Sequence, residues 1–152
     1  MVCLGNICRS PLAEGILRKK LELAKLSGIE VDSAGTIANH VGEHPDRRSA
    51  FNAQQHGIDI SGHKGRQFAQ DDFKMHDVIY VMDSSNYADV LLKAKNQREK
   101  DKVKMILNEI EPGKNASVPD PYFGGEEGFE LVFKLLDKAC DVIVEKLNPH
   151  KN

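Results

Sequence analysis

The stretch Met1–Pro11 constrains the fold most, because it joins a short apolar run to a helix start through a loop that contains glycine and two cysteines. Gly5 and Asn6 tolerate left-handed backbone conformations, so successive amide N–H groups of a tight loop can point at one anion. Ser10 and Pro11 are typical of a helix N-cap and a first helical position, which places the positive end of a helix at the same anion. The stretch therefore predicts an oxyanion-binding loop between a first strand and a first helix.

Cys3 and Arg9 give this loop its expected chemistry. The planar guanidinium of Arg9 suits bidentate contact with a phosphate group. Cys3, surrounded by positive partial charge, is expected to be an ionised nucleophile near neutral pH. Two alternatives are less favoured. If Cys3 and Cys8 were ordinary buried cysteines, the glycine, asparagine, arginine and serine around them would have no reason to occur at these positions. A zinc site requires cysteine or histidine pairs at a short spacing, which Cys3 and Cys8 do not have.

The composition limits the classes of protein to consider. With 152 residues, of which 40% are hydrophobic and 29% charged, the chain is expected to form a single domain over residues 1–152. Its net charge of −2 argues against nucleic acid and anionic membranes as partners. Three cysteines do not suggest a secreted disulfide framework, so a cytoplasmic location is expected. We expect neither a signal peptide nor a membrane span, because Arg9 interrupts the apolar start.

Segments with the pattern of strands alternate with segments of helical spacing. A first strand is expected to end at Cys3, although only two residues precede this cysteine. Further strands are expected at 29–33, 58–60, 77–82 and 103–107. Helices are expected at 11–26, from 45 or 46 to 57, from 83, and from 129 to 147. Polar turn and surface segments are expected at 33–36 and 61–72, and Cys140 is expected in the core. This alternation predicts an α/β domain with a mostly parallel sheet, helices on both faces, and ligands at the carboxyl ends of the strands.

Asp120 is the second residue to which we assign chemistry. It lies between Pro119 and Pro121, which stiffen the backbone and hold its carboxylate on a defined loop. Taken alone, the segment is a common proline-rich turn. Thiolate attack on a phosphate ester, however, requires an acid that protonates the departing oxygen, and this requirement favours Asp120 as the partner of Cys3.

Two specific motifs resemble the low-molecular-weight protein tyrosine phosphatases: Val-Cys-Leu-Gly-Asn-Ile-Cys-Arg-Ser-Pro at 2–11 and Asp-Pro-Tyr-Phe-Gly at 120–124. The resemblance covers nearly the whole chain. It implies a three-layer α/β/α fold with a central four-stranded parallel sheet. It also implies hydrolysis of phosphotyrosine monoesters through a phosphocysteine, with Cys3 as nucleophile, Arg9 as phosphate clamp and Asp120 as general acid and base, without metal or cofactor.

The resemblance also assigns roles to further residues. The phosphate-binding positions are Leu4, Gly5, Asn6, Ile7, Cys8 and Ser10. Supporting positions are Ser33, His63 and Asp83, for which a local turn hydrogen bond or an ordinary helix cap is the alternative. The pocket rim falls at Asn39, His40, Tyr122 and Phe123. Family members often carry an aromatic residue at the first two of these positions, and some carry a second tyrosine where Phe123 stands.

Other functions are less consistent with the sequence. Related arsenate reductases require two further cysteines downstream, and this chain has only Cys140 beyond the loop. Related protein arginine phosphatases carry threonine at the position of Ile7. A non-catalytic phosphate-binding module would not require both Cys3 and Asp120, and a P-loop nucleotidase would require a Gly-Lys-Ser/Thr ending.

The expected partner is a tyrosine-phosphorylated protein substrate, with a tyrosine kinase of the same organism as a further candidate, and the chain is expected to be a monomer or weak dimer. Cys8 lies in the same loop as Cys3. It is therefore expected either to form a protective disulfide with oxidised Cys3 or only to pack.

Overall fold

The structure, a computed structural model, describes residues 1–150 and has a four-stranded parallel sheet at its centre. Its strands are β1 (Val2–Cys3), β2 (Ala34–Gly35), β3 (Ile79–Val81) and β4 (Val103–Met105), in the spatial order β2-β1-β3-β4. Strand β1 is only two residues long, yet it pairs in parallel with β2 on one side and β3 on the other. Its carboxyl end is therefore central, where open α/β sheets bind ligands.

Helices surround this sheet. They are α1 (Arg9–Leu23), α2 (Arg47–Gln55), α3 (Asp72–Met75), α4 (Ser84–Lys93), α5 (Gln97–Lys100) and α6 (Glu126–Leu147), with a 3-10 helix at Ile106–Glu109. Side chains cap α2 and α4: Asp46 accepts a hydrogen bond from the Arg48 N–H, and Asp83, for which a helix cap was one of the two expected roles, accepts one from the Asn86 N–H. The fold class expected from the sequence is confirmed, including the loop between β1 and α1.

The core lies on both faces of the sheet. Consecutive strand residues point to opposite faces, so Cys3 packs with the apolar faces of α1 and α6, while Val2 packs with α4 and two phenylalanines. The second cluster comprises Val2, Ala34, Phe68, Phe73, Ile79, Val81, Val90, Val103 and Met105. Cys140 is fully buried in the first cluster, as expected, and burial raises the pKa of its thiol to about 12.

Three expectations about the segments that follow α1 are wrong. Residues 29–33 form no strand; the edge strand is Ala34–Gly35, inside the stretch expected to be a polar turn, because these two small residues pair with β1. Residues 58–60 form no strand either, and Ile58 and Ile60 are instead buried in the core under α1. The stretch 61–72 is not all surface, since Phe68 is buried and its N–H donates to the Gly35 carbonyl.

No helix within residues 1–150 combines the length and the apolar character needed to span a membrane.

Candidate active site

The loop from Cys3 to Arg9 closes around the sulfur of Cys3 at the end of β1. The Sγ atom lies 3.0 Å from Ser10 Oγ and accepts the Asn6 N–H at 3.3 Å. Ser10 Oγ itself accepts from Asn6 Nδ2 at 2.7 Å, so its own hydrogen is free to point at the sulfur. Its other acceptor, the Ala34 carbonyl, is farther away at 3.5 Å. Two donors thus converge on Cys3, as stabilisation of a thiolate requires.

Ser10 reaches this position because α1 begins two residues earlier than expected. The prediction of Ser10 as N-cap and Pro11 as first helical residue is wrong: the helix starts at Arg9, and Cys8 at the cap makes no side-chain cap hydrogen bond. Pro11 is still tolerated, because the first four N–H groups of a helix have no partner within it. The hydroxyl expected to cap the helix contacts the reactive sulfur instead.

Asn6 is the centre of the network that shapes the loop. It is fully buried and has a left-handed backbone with φ of 59°. Its Nδ2 donates to Ser10 Oγ and, at 3.0 Å, to Ser33 Oγ, while its Oδ1 accepts the Arg66 N–H at 3.0 Å. The Asn6 carbonyl lies 3.1 Å from His63 Nε2. The structure thereby brings Ser33 and His63 to the loop, where the resemblance placed them.

The residues around Asn6 also hold the far side of the loop. Ile7 is buried, and its carbonyl accepts the Asp46 N–H at 2.8 Å. The carbonyl of Cys8 accepts the Ser49 hydroxyl at 3.1 Å. Cys8 is buried beside Phe129, and this burial raises the pKa of its thiol. Leu4, by contrast, is exposed at the mouth.

Arg9 is almost fully buried and connects the loop to the opposite side of the site. Its Nη1 donates to Asp83 Oδ2 at 2.7 Å and to the Val118 carbonyl at 3.0 Å. Its Nη2 lies 3.6 Å from Asp120 Oδ2. Asp83 therefore both supports the site, through its bond to Arg9, and caps α4, because its other carboxylate oxygen accepts the Asn86 N–H. The guanidinium is therefore fixed in place before any phosphate binds.

Asp120 lies on an exposed loop beside Arg9 of the phosphate-binding loop, although it is far from this loop in the chain. One carboxylate oxygen accepts the Tyr122 N–H at 3.0 Å, and the other faces Arg9. Its side chain is 41% exposed, so solvent and substrate can reach it. The structure therefore brings together all three residues for which catalytic roles were predicted.

The predicted rim residues differ in their surroundings. The ring of His40 lies against the loop, because a Cβ built on Gly5 would be 2.9 Å from His40 Cδ2. His40 Nδ1 pairs with the Glu43 carboxylate. Tyr122 and Phe123 are exposed and form an edge-to-face pair with centroids 5.0 Å apart. Asn39 is exposed on the segment that leads to His40.

Sequence reasoning missed two residues that support the loop. A Cβ on Gly35 would lie 2.7 Å from the Leu4 carbonyl oxygen and 3.0 Å from the Asn6 nitrogen, so only glycine fits there.

Arg66 is the second of these residues. Its backbone N–H donates to Asn6 Oδ1, and its guanidinium binds the Asp72 carboxylate at 2.9 and 3.0 Å. Burial alone would raise the pKa of Asp72, but hydrogen bonds from Arg66 and the Ala69 N–H outweigh it and lower the pKa. The Ser-Ala-Gly-Thr segment at 33–36, expected as a turn, could have indicated that Gly35 is needed for close backbone approach. No local sequence pattern indicates a role for Arg66.

Within residues 1–150, one cluster offers three atoms close enough to hold a metal ion, on Asp32, Asp72 and His76. The Arg66 guanidinium already bridges the two carboxylates, at 2.8 Å from Asp32 and 2.9 Å from Asp72. The cluster is therefore an ion-pair network whose negative charge an arginine balances.

A nucleophilic cysteine in an anion-binding loop, with a buried arginine and a carboxylate opposite, defines the class of cysteine-dependent phosphatases. The family model described as low molecular weight phosphotyrosine protein phosphatase matches residues 1–152, and the chain belongs to this family. The chain is therefore an enzyme, and the expected family and enzyme class are confirmed.

Individual relatives agree with this assignment. The low molecular weight phosphotyrosine protein phosphatase of Gallus gallus is 41% identical over 152 residues, which cover 98% of this chain and 93% of that one. A crystal structure of a protein tyrosine phosphatase from Entamoeba histolytica, with Hepes in its active site, superimposes with a TM-score of 0.90 at 36% identity, covering 99% and 96% of the two chains. A Drosophila arginine phosphatase superimposes with a TM-score of 0.89 at 31% identity, covering 97% and 95%.

Proposed function

We propose that this protein hydrolyses phosphotyrosine monoesters in proteins through a phosphocysteine on Cys3, with Arg9 as the phosphate clamp and Asp120 as general acid and base. The observation that carries the proposal is the convergence at one sheet edge of a sulfur with two hydrogen-bond donors, a fixed guanidinium and an accessible carboxyl group. These are the groups that phosphoryl transfer without a metal requires: a nucleophile, charge stabilisation and an acid.

In the first step the Cys3 thiolate attacks phosphorus, the S–P bond forms and the P–O bond to the tyrosyl oxygen breaks. Loop N–H groups and Arg9 stabilise the charge on the equatorial oxygens. Asp120, protonated at the start of this step, donates its proton to the departing phenolate.

In the second step the Asp120 carboxylate takes a proton from water as the water oxygen attacks phosphorus. The P–S bond breaks, inorganic phosphate leaves, and Cys3 returns as a thiolate. The Ser10 hydroxyl, 3.0 Å from the sulfur, stabilises the thiolate as it departs.

The rim supports an aromatic phosphate ester as substrate. Tyr122 and Phe123 supply aromatic walls on the acid side, and His40 lies over the loop on the other side. Ile7 packs in an apolar cluster at the position where related arginine phosphatases carry threonine, so we favour phosphotyrosine over phosphoarginine.

We further propose that the enzyme works in the cytoplasm without a metal ion, as a monomer or weak dimer, on a tyrosine-phosphorylated protein produced by a kinase of the same organism. The three cysteines are all unpaired, which suits a reducing compartment. Activity that persists in excess chelator would support the absence of a metal requirement, and loss of activity would refute it.

The test is turnover of a phosphotyrosine peptide and of an aryl phosphate, with phosphoarginine as the competing substrate and vanadate as inhibitor. Cys3→Ser should abolish turnover, while Cys140→Ser, which changes a cysteine outside the site, should keep it. Turnover retained by Cys3→Ser would refute the mechanism. A wild-type protein that binds phosphate without turnover would instead indicate a binding module, and preferential hydrolysis of phosphoarginine would refute the substrate assignment.

A further inference from the structure

The segment 119–125, which carries Asp120, is called the acid loop below. Arg48, on the first turn of α2, joins the acid loop to this helix. Its Nη2 donates to the Tyr122 carbonyl at 2.7 Å, and its Nη1 donates to the Gly124 carbonyl at 3.2 Å. Both carbonyl groups follow Asp120 on the same loop. The guanidinium also lies over the Tyr122 ring at 5.5 Å and over the Phe129 ring at 4.8 Å, so it contacts the loop and the start of α6 together.

The acid loop depends on such contacts. Val118 is buried and anchored, because its N–H donates to the Met82 carbonyl at 2.8 Å. From residue 119 to residue 125, every residue except Pro121 is exposed. The loop carries an internal hydrogen bond from the Gly124 N–H to the Pro121 carbonyl, but this bond does not fix its position on the protein. Besides the buried Pro121 and the Arg9–Asp120 pair at 3.6 Å, the two hydrogen bonds from Arg48 tie the backbone of this loop to α2.

Asp46 holds Arg48 in place and is itself tied to the phosphate-binding loop. Its carboxylate binds Arg48 Nε at 3.1 Å and Nη2 at 2.9 Å, and these hydrogen bonds lower the pKa of Asp46. Its backbone N–H donates to the Ile7 carbonyl at 2.8 Å. A continuous chain of contacts thus runs from the loop of the nucleophile, through Asp46 and Arg48, to the loop of the acid.

From this chain of contacts we propose that Arg48 is a positioning residue, which holds the acid loop so that the Asp120 carboxyl group faces the departing oxygen. The inference rests on the proposed function, since it assigns Arg48 a role through Asp120. The hydrogen bonds and ion pair of Arg48 go to Asp46, Tyr122 and Gly124 and not to Cys3 or Arg9, so its loss should impair proton transfer and leave nucleophilic attack intact.

The readout is the dependence of kcat/KM on the basicity of the leaving group, because kcat/KM reports the steps up to phosphocysteine formation. A good leaving group such as dinitrophenolate departs without a proton, whereas tyrosyl and phenyl oxygens require one. Arg48→Ala should lower kcat/KM for phenyl phosphate by about tenfold to a hundredfold, part of the ~10²–10⁴-fold that general acids contribute, and for dinitrophenyl phosphate by less than about threefold.

Three variants isolate the contact. Arg47→Ala removes the same charge from the neighbouring, exposed position and should behave as wild type. Arg48→Lys can bind one carbonyl but lacks the fork, so it should recover activity only in part. Asp46→Asn weakens the support of Arg48 and should show the same leaving-group dependence in milder form.

A double variant decides whether Arg48 acts through Asp120. In the Asp120→Asn background, Arg48→Ala should cost less than about twofold further, because the group it positions is already lost. An equal loss for all leaving groups, or a full additional loss in this background, would overturn the proposal. These results are distinct from a failure of the proposed function, which would appear as an inactive wild type or an active Cys3→Ser variant. Unfolding in urea verifies that each variant is folded.

Discussion

Replacing Asn6 with alanine tests the network that shapes the phosphate-binding loop. The change removes three side-chain hydrogen bonds, to Ser10, Ser33 and the Arg66 N–H, from a residue that is fully buried. It also places an alanine at φ of 59°, a left-handed conformation that asparagine adopts more readily than alanine. Both stability and activity should fall, because the Ser10 hydroxyl loses the contact that orients it toward Cys3.

The expected magnitude follows from these contacts. Three buried hydrogen bonds at about 0.5–1.5 kcal/mol each, together with about 1–2 kcal/mol for the left-handed backbone, give a loss of roughly 3–6 kcal/mol in the free energy of unfolding. Asn6→Gly loses the same hydrogen bonds without the backbone penalty, so it should be about 1–2 kcal/mol more stable than Asn6→Ala. A misplaced Ser10 and loop should lower kcat/KM by roughly a hundredfold in both variants.

The assay is urea unfolding together with turnover of a phosphotyrosine peptide. Asn115→Ala is the matched control, since Asn115 is an exposed asparagine with φ of 52°, far from Cys3 in sequence and in contact with Asn108. It should cost only about 1–2 kcal/mol and no activity. If Asn6→Ala were no more destabilising than Asn115→Ala, or if it kept full activity, the central role of Asn6 would be refuted.

Other predictions concern neighbouring features. Gly35→Ala should destabilise the protein by about 1–3 kcal/mol or more and lower activity, whereas Gly62→Ala, with open space around it, should do neither; equal urea midpoints would contradict this. The pKa of Asp72 in the folded protein lies below its usual 3.8, so its carboxylate stabilises the protein above that pH. In urea unfolding, the loss of stability caused by Asp72→Asn should therefore be full at pH 7 and should shrink as the pH falls below about 4. A loss of stability that does not change with pH would contradict this. If Cys8 forms a disulfide with oxidised Cys3, peroxide should remove two hydrogens from the intact mass, and Cys8→Ser should lack this change; an unchanged mass would indicate that Cys8 only packs.

The residues that carry chemistry could be identified from the sequence because each requires a particular residue type at a fixed spacing. Cys3 and Arg9 lie in one loop with the glycine and asparagine that a tight anion-binding ring requires, and the structure places them as expected. Asp120 could be identified because two prolines mark its loop and because a thiolate nucleophile requires an acid. The helix starts at Pro45-Asp46 and at Asp83 followed from local rules that need no tertiary contacts.

Features that depend on tertiary contacts were not predictable in the same way. The edge strand at Ala34–Gly35 carries no strand pattern; it forms because small residues allow close approach to β1 and the phosphate-binding loop. Ser10 has the residue type of a cap, yet its hydroxyl contacts Cys3, since the helix begins at Arg9. The roles of Arg48 and Arg66 depend on partners that are distant in the chain, which no spacing rule indicates.

The most direct test of the proposed mechanism is to trap the covalent intermediate. Asp120→Ala removes the base that activates water, so an aryl phosphate with a good leaving group should phosphorylate the enzyme faster than the phosphoenzyme is hydrolysed. Acid quench followed by peptide mass spectrometry should then locate one phosphoryl group on Cys3, and the same treatment of Cys3→Ser should give none. A phosphoryl group on any other residue, or continued turnover in Cys3→Ser, would contradict the mechanism.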